Sequence, residues 1–318
     1  MSRYRPWGNL LIRDSIPTLR HINFVVFDVD GVLVDAGQSY PLSIVSAVIY
    51  HQNSLPGTTV NPQKCQLTIA DIPLFKAAGG FNDEWDLAYA ACLWVTWCHF
   101  YHDAPSLAEF TQALSQAGGG IKGADHVIPH TNTLINQWCS YRTIAQIAQE
   151  HYAGSQLCST IFGSSPIVHG LEGFHHLERD LVPPSLLERW EDRIAIYTGR
   201  NGAETQLVLN RAGLAKFFPD HRKVTSDSGF IKPNPEGLEL LVPPMGDNYV
   251  VFLGDTLDDL RTVQNFRGQH PHGPEILFVG VTGGSMGDQS EALFAKHNAD
   301  VIVPSAKAFL TTFADQFI

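Results

Sequence analysis

Apolar and polar positions follow two rhythms along this chain. Consecutive β-branched and aromatic residues run at Ile22–Phe27, Ile194–Tyr197, Tyr249–Leu253, Ile276–Val281 and Asp300–Val303. Each run has the length of a strand buried on both faces and is followed by a turn signal. Helical patterns lie between the later runs, at Gly202–Gly213 and Pro235–Leu241. Strand-then-helix alternation of this kind predicts an α/β fold, a doubly wound (Rossmann-like) parallel sheet.

Between Asp35 and about Leu181 the rhythm changes to a helical one. Leu134, Trp138, Tyr141, Ile144, Ala148 and Tyr152 recur at three- and four-residue spacing, the mark of an amphipathic helix. Asn82, followed by Asp83 and Glu84, reads as the N-cap of a helix running toward Tyr101. Pro41–His51 and Pro105–Gln116 read as further helices, and the Gly118-Gly119-Gly120 run and the Pro129 region as loop. The pattern predicts an all-helical domain, residues 36–181, inserted into an α/β domain formed by residues 1–35 and 182–318. The chain would cross between them near Asp35–Ser39 and Arg179–Pro184.

Composition narrows the classes. The 318 residues suffice for a sizeable core, and 44% hydrophobic with 17% charged residues is a globular balance. A formal charge of −11 argues against a general nucleic-acid binder. It does not exclude phosphate, whose binding depends on local cations. Cys65, Cys92, Cys98, Cys139 and Cys158 form no Cys-x-x-Cys pair, so a disulfide framework or zinc site is not expected. They read as small core residues in a reducing compartment. Met1–Arg20 has no apolar stretch of signal-peptide type, and the apolar run Leu87–Tyr101 is too short to span a bilayer. The expectation is a cytoplasmic protein with no membrane partner. His175-His176 has no acidic or cysteine companion at fixed spacing and His270-Pro271-His272 lies in a Pro/Gly-rich loop, so both read as solvated or core histidines.

Four segments at predicted strand ends or helix starts carry candidate chemistry, because ligands of open α/β sheets bind outside the carboxyl ends of the strands. In Asp28-Val29-Asp30-Gly31-Val32, two carboxylates two residues apart can address one ligand, and held close they call for a cation or a proton. Solvated aspartates at a strand end account for that segment equally well. Thr198-Gly199-Arg200 offers a hydroxyl and an amide to an anion, with Arg200 either a ligand contact or an exposed or structurally paired residue. Lys232-Pro233-Asn234-Pro235 places a lysine just ahead of a helix start. Gly254-Asp255-Thr256-Leu257-Asp258-Asp259 offers oxygen ligands to a hard cation, or N-caps to a helix.

Together and in this order the four segments resemble the motifs of the haloacid dehalogenase-like (HAD) superfamily. The likeness covers roughly residues 20–35 and 182–305. The helical insertion after the first motif is similar to the cap of the subfamily holding phosphoglycolate phosphatase and β-phosphoglucomutase. The resemblance implies that Asp28 is a nucleophile forming an aspartyl-phosphate and Asp30 a general acid/base. It implies Mg2+ held by the Asp28 carboxylate, the Asp30 backbone carbonyl and Asp255. It gives the phosphoryl oxygens to Thr198, the Gly199 amide and Lys232, with Asp259, or alternatively Asp258, in support. Asp30 favours phosphate-ester chemistry, since dehalogenases and phosphonatases of the superfamily lack an aspartate there.

The implied substrate is a small phosphorylated metabolite of phosphoglycolate or sugar-phosphate type. A phosphomutase of the β-phosphoglucomutase kind shares the motifs, and a silent binding protein on the same scaffold is the third reading. Substrate choice is expected from the cap, which in such enzymes closes over the site and excludes water. Its segment Lys76–Asp83 supplies the candidate contacts Lys76 and Asn82, although a helix-to-helix turn capped by Asn82 explains the segment as well.

Overall fold

The computed structural model describes residues 4–16, 22–81, 83–128, 133–242, 249–284 and 287–313. It divides into two compact units, one of Met1–Gly37 with Glu178–Ile318 and one of Gln38–Leu177.

The first unit holds β1 (Tyr4–Trp7), β2 (Leu10–Arg13), β3 (Ile22–Phe27), β4 (Val34–Asp35), β5 (Arg179–Asp180), β6 (Ile194–Tyr197), β7 (Lys223–Val224), β8 (Tyr249–Gly254), β9 (Ile276–Val281) and β10 (Val301–Val303). Eight of these form one sheet in the order β1-β2-β10-β9-β8-β3-β6-β7. From β10 to β7 every neighbouring pair is parallel. The chain runs from β3 outward to β6 and β7, then returns to β8 on the other side of β3, which is the reversal that opens a crevice at the strand ends. Consecutive apolar residues are required because both faces are covered. Val25, Phe27, Ile194, Ile196, Val251 and Leu253 enter one core cluster, while Phe24, Val26, Ala195, Tyr197, Val250 and Phe252 enter the other.

Three local features depart from the sequence reading. The last strand runs from Val301, one residue later than expected, although the Asp300 amide still donates to the Phe278 carbonyl; the buried Asp300 carboxylate takes the Phe278 amide and pairs with Arg13 and Arg267. An antiparallel hairpin of β1 and β2 extends the sheet beside β10, with Gly8 at φ 59° in its turn. Residues 178–181, expected in the insertion, belong to the α/β unit: β4 pairs antiparallel with β5, and the Leu181 amide donates to the Leu33 carbonyl at 2.9 Å.

Among its described residues the second unit consists of helices and connecting loops, with no strand. Its main helices, Ser39–Ser54, Glu84–Phe100 and Tyr141–Ala153, share a core of Ile44, Val48, Leu87, Trp94, Ile144 and Ala148. Glu84–Phe100 is apolar all round because it is buried on nearly every side from Leu87 to His99. Among the described residues no helix is long and apolar enough to cross a membrane. Asn82 lies outside the described residues. The Asp83 carboxylate caps this helix, accepting from the Trp85 amide at 2.8 Å.

The run Leu134–Tyr152 is two helices, Thr133–Trp138 and Tyr141–Ala153, because the Ser140 hydroxyl caps the second by accepting from the Thr143 amide. Gly120, expected in a loop, opens the helix Gly120–Val127, while Pro129 lies outside the described residues. All five cysteines are free thiols and buried.

Candidate active site

The neighbouring parallel strands β6, β3 and β8 are followed directly by Thr198, Asp28 and Asp255, so three motifs distant in sequence meet at one sheet edge. Behind Asp28 the chain folds back on itself. The Val29 carbonyl accepts from the amides of Leu33 at 2.8 Å and Val34 at 2.9 Å, and Gly31 turns the chain at φ 70°. Asp28 is fixed locally, its Oδ1 accepting from the Val29 amide at 2.7 Å.

Carboxylate oxygens of Asp28, Asp255 and Asp259 lie within 4.8 Å of one another, all three residues being buried. Lys232 Nζ stands 2.9 Å from Asp28 Oδ2 and 2.6 Å from Asp259 Oδ1. The other oxygen of Asp259 accepts from the Thr256 amide at 3.0 Å and hydroxyl at 2.7 Å, closing a capping box on the helix Leu257–Gln269. Asp259 thus anchors both the helix and the lysine. The ammonium also lies 6.0 and 5.9 Å from the ring centroids of Tyr197 and Phe252. Tyr197 Oη donates to the Asn234 carbonyl at 2.8 Å, which ties down the loop carrying Lys232.

The electrostatics follow from burial. Burial pushes the Asp28 carboxyl well above the usual range; Lys232 pulls it back, while Asp259, Asp255 and Asp30 push it further up. Burial also works against the Lys232 charge, but Asp259 and Asp28 outweigh it and hold the lysine above its ordinary value. Burial raises the Tyr197 phenol to about 12. Among the described residues, three buried carboxylates share this cluster with one ammonium, that of Lys232 against Asp28 and Asp259. That crowding of carboxylates and an all-oxygen donor set fit a hard divalent cation such as Mg2+.

Glycine shape supports the same arrangement. A Cβ on Gly31 would fall 2.2 Å from Asp255 Oδ2, and one on Gly284 would fall 2.3 Å from it. Asp255 is therefore seated between two backbones that approach without side chains. Gly284 was absent from the sequence reading. Its signal was Thr282-Gly283-Gly284 after β9, the same hydroxyl-then-glycine form as Thr198-Gly199 after β6.

The remaining candidates divide. Thr198 is buried, its amide donating to the Val224 carbonyl at 3.0 Å and its hydroxyl accepting from the Arg200 amide at 3.2 Å. Gly199 is exposed with open space beside its Cα. Arg200 is not a surface cation reaching for ligand. Its guanidinium is buried and engages the Asp30 and Glu178 carboxylates. Asp258 pairs at 2.9 Å with the exposed Arg261 and is not in the cluster. Lys76, expected as a substrate contact, donates to the Phe81 carbonyl at 2.8 Å and to Glu84 at 2.9 Å, and Phe81 is core. Its turn is shaped by glycines instead: the Gly120 amide donates to the Gly79 carbonyl at 2.9 Å, and a Cβ on Gly119 would fall 2.2 Å from that oxygen.

Among solved structures the chain is similar to phosphatase Tt82 from Thermococcus thioreducens, with TM-score 0.60 and 22% identity over 91% of this chain and 97% of that one. It is also similar to a protein from Lactobacillus delbrueckii subsp. bulgaricus named for phosphoglycolate phosphatase activity, with TM-score 0.51 and 17% identity over 92% of this chain and 98% of that one. At these identities the likeness shows the fold. Among curated proteins no relative matches. The family model of the haloacid dehalogenase-like hydrolases matches residues 22–266, from β3 through the helix that follows Asp255. The chain belongs to the haloacid dehalogenase-like hydrolase family.

Proposed function

We propose that the protein is a magnesium-dependent phosphatase of a small phosphorylated metabolite, with Asp28 as its nucleophile. The observation that carries the reading is the buried set of Asp28, Asp255 and Asp259 at a parallel-sheet edge, with Lys232 bridging Asp28 and Asp259. The Asp28 carboxylate, the Asp30 backbone carbonyl and Asp255 would hold Mg2+. Bound there, the ion supplies charge neutralisation that lets an anionic phosphoryl group approach an anionic nucleophile.

An Asp28 oxygen attacks phosphorus as the bond to the leaving oxygen breaks, and Asp30 gives that oxygen a proton. Lys232, the Thr198 hydroxyl and the Gly199 amide bind the equatorial phosphoryl oxygens. Water then attacks the aspartyl-phosphate, Asp30 accepts its proton, and the P–O bond to Asp28 breaks to give inorganic phosphate. Positioning and charge stabilisation dominate such a transfer, which is why the lysine is held so rigidly.

The test is phosphate release with and without Mg2+ across a panel of phosphorylated metabolites including phosphoglycolate and sugar phosphates, with Asp28→Asn as blank. Mg2+-dependent release absent from the blank is expected. An isomerised sugar phosphate in place of free phosphate would turn the reading to a mutase, and no turnover on any member would overturn it.

A further inference from the structure

We propose that Arg200 is a positioning residue for the Asp30 carboxylate, with the buried Glu178 setting its orientation. The inference rests on the phosphatase reading, in which Asp30 is the acid/base. Asp30 follows β3 and Arg200 follows β6, so adjacent strands bring together residues 170 positions apart. The Arg200 backbone is pinned on both sides: its amide donates to the Thr198 hydroxyl at 3.2 Å, and its carbonyl accepts from the Ser226 amide at 3.0 Å.

The side chain is equally committed. Nη2 donates to Glu178 Oε1 at 2.7 Å and to Asp30 Oδ1 at 2.6 Å, while Nε lies 3.1 Å from both Asp30 oxygens. Glu178 is fully buried, and its second oxygen accepts from Arg211 at 2.9 Å. Arg211 in turn reaches Asp180 at 3.2 Å. A buried charge pair of this kind persists only when its geometry and remaining hydrogen bonds are well satisfied.

The two carboxylates on Arg200 differ. Glu178 is sealed in, whereas the Asp30 side chain is 35% exposed at the same end of the sheet as Asp28. Its two oxygens differ as well. Oδ1 takes two Arg200 contacts, and Oδ2 takes one at 3.1 Å. Oδ2 is therefore the less engaged oxygen, and it is the one to carry the proton that passes to the leaving oxygen. This is the base-and-orienter arrangement of nucleophilic sites, with a guanidinium as orienter.

Leaving groups separate positioning from structure. A phenolate of pKa about 10 needs proton delivery more than the more acidic p-nitrophenolate does. Mg2+-loaded unmodified protein, Arg200→Lys, Arg200→Met and Arg200→Met/Glu178→Gln are assayed on phenyl phosphate and p-nitrophenyl phosphate. For Arg200→Met, kcat should fall at least about tenfold further on the phenyl ester than on the nitrophenyl ester, with KM little moved. Arg200→Lys should recover part of the loss, since a lysine keeps the charge without the fork. Should Arg200→Met fail to fold with the Arg200–Glu178 pair broken, the double variant removes both charges and carries the same test. Equal slowing on the two esters overturns the proposal and makes Arg200 structural. A raised KM at constant kcat overturns it in favour of direct substrate binding. Unmodified protein that releases phosphate from neither ester overturns the phosphatase reading itself, an outcome distinct from both.

Discussion

Two buried carboxylate environments in this protein contrast. In the helical unit, Glu150 is fully buried, yet it accepts from the amides of Ile167, Val168 and His169 at 2.6–2.8 Å and from the Ser155 hydroxyl at 2.6 Å. Burial alone would raise its carboxyl; the Ser155 hydroxyl and the three amides outweigh burial and lower it. In the α/β unit, burial pushes the Asp28 carboxyl up; Lys232 opposes that, and Asp259 and Asp255 beside it add to it. One carboxylate is surrounded by donors and pins a loop. The other lies in a cluster of carboxylates that a cation would balance. Burial does not mark a functional acid; the crowding of carboxylates around it does.

The sharpest way to break that contrast is to neutralise each carboxyl in turn. Asp28→Asn should lower phosphate release by about 10⁴-fold or more. Its thermal midpoint without metal should stay level or rise, because one of three crowded charges is gone. Glu150→Gln should do the reverse. An amide group offers donors to atoms that already donate, so about 2–4 kcal/mol of stability is lost while folded protein keeps its kcat. Calorimetry beside phosphate release reads both. If Asp28→Asn destabilises as much as Glu150→Gln, the acidic cluster is structural and the contrast fails.

The next effect concerns how the cluster is shaped. Gly284→Ala places a Cβ 2.3 Å from Asp255, so Asp255 must move. Mg2+ affinity should drop roughly 10–100-fold, as when the support of a metal ligand is lost. Gly268→Ala, with open space around it on the helix Leu257–Gln269, is the control and should gain about 0.5–1 kcal/mol. Mg2+ titrations that give equal affinities for the two variants would remove Gly284 from the site.

Much of this site was legible in the sequence because the sheet is covered on both faces. That burial makes each strand a run of consecutive apolar residues, and the run announces where its carboxyl end lies. Asp28, Thr198 and Asp255 follow directly, and Lys232 is read from the prolines that fix it. The β1–β2 hairpin escaped because its strands are four residues each and include Pro6, although Gly8-Asn9 is a two-residue turn signal. The Arg200 pairing was not legible, since Asp30 and Glu178 lie 170 and 22 positions away and only strand order brings them together. Gly284 escaped for a different reason: its role is a steric exclusion that leaves no periodicity. The break at Ser140 interrupts a helical pattern that apolar spacing alone carries straight through.

Proton competition sharpens the contrast further. The Asp28 pKa is raised in the folded state, chiefly by burial, so the folded metal-free protein binds more protons than the unfolded chain above the ordinary value of 3.8. Stability of the metal-free protein therefore falls as pH rises through that raised pKa. Mg2+ bound there would relieve the crowding of carboxylates, and at a hundredfold excess over its Kd it should add about 2.7 kcal/mol. The gain should shrink as pH falls through the raised Asp28 pKa and protons compete. His51 acts oppositely in the helical unit. Burial, then His99, lowers it to about 4, so stability there is lost as pH falls from 6.5 toward that value whether or not Mg2+ is present. A Mg2+ gain that is flat with pH would disconnect Asp28 from the metal.

The smallest expected effect tests the same contrast with lysines. Lys232 Nζ is nearly buried between two carboxylates, while Lys76 is 38% exposed and bonds a carbonyl and one half-open glutamate. An exposed pair of that kind contributes under about 1 kcal/mol. Lys76→Ala should therefore shift the thermal midpoint slightly and leave kcat/KM on the best ester unchanged. The turn it decorates is held by the Gly79–Gly120 hydrogen bond and by Phe81 in the core, neither of which needs the ammonium. A kcat/KM that falls for phosphorylated metabolites but not for p-nitrophenyl phosphate would mean that Lys76 leaves Glu84 to reach the substrate's organic part. In that case pairing in the ligand-free protein would be a poor guide to which cations serve the site.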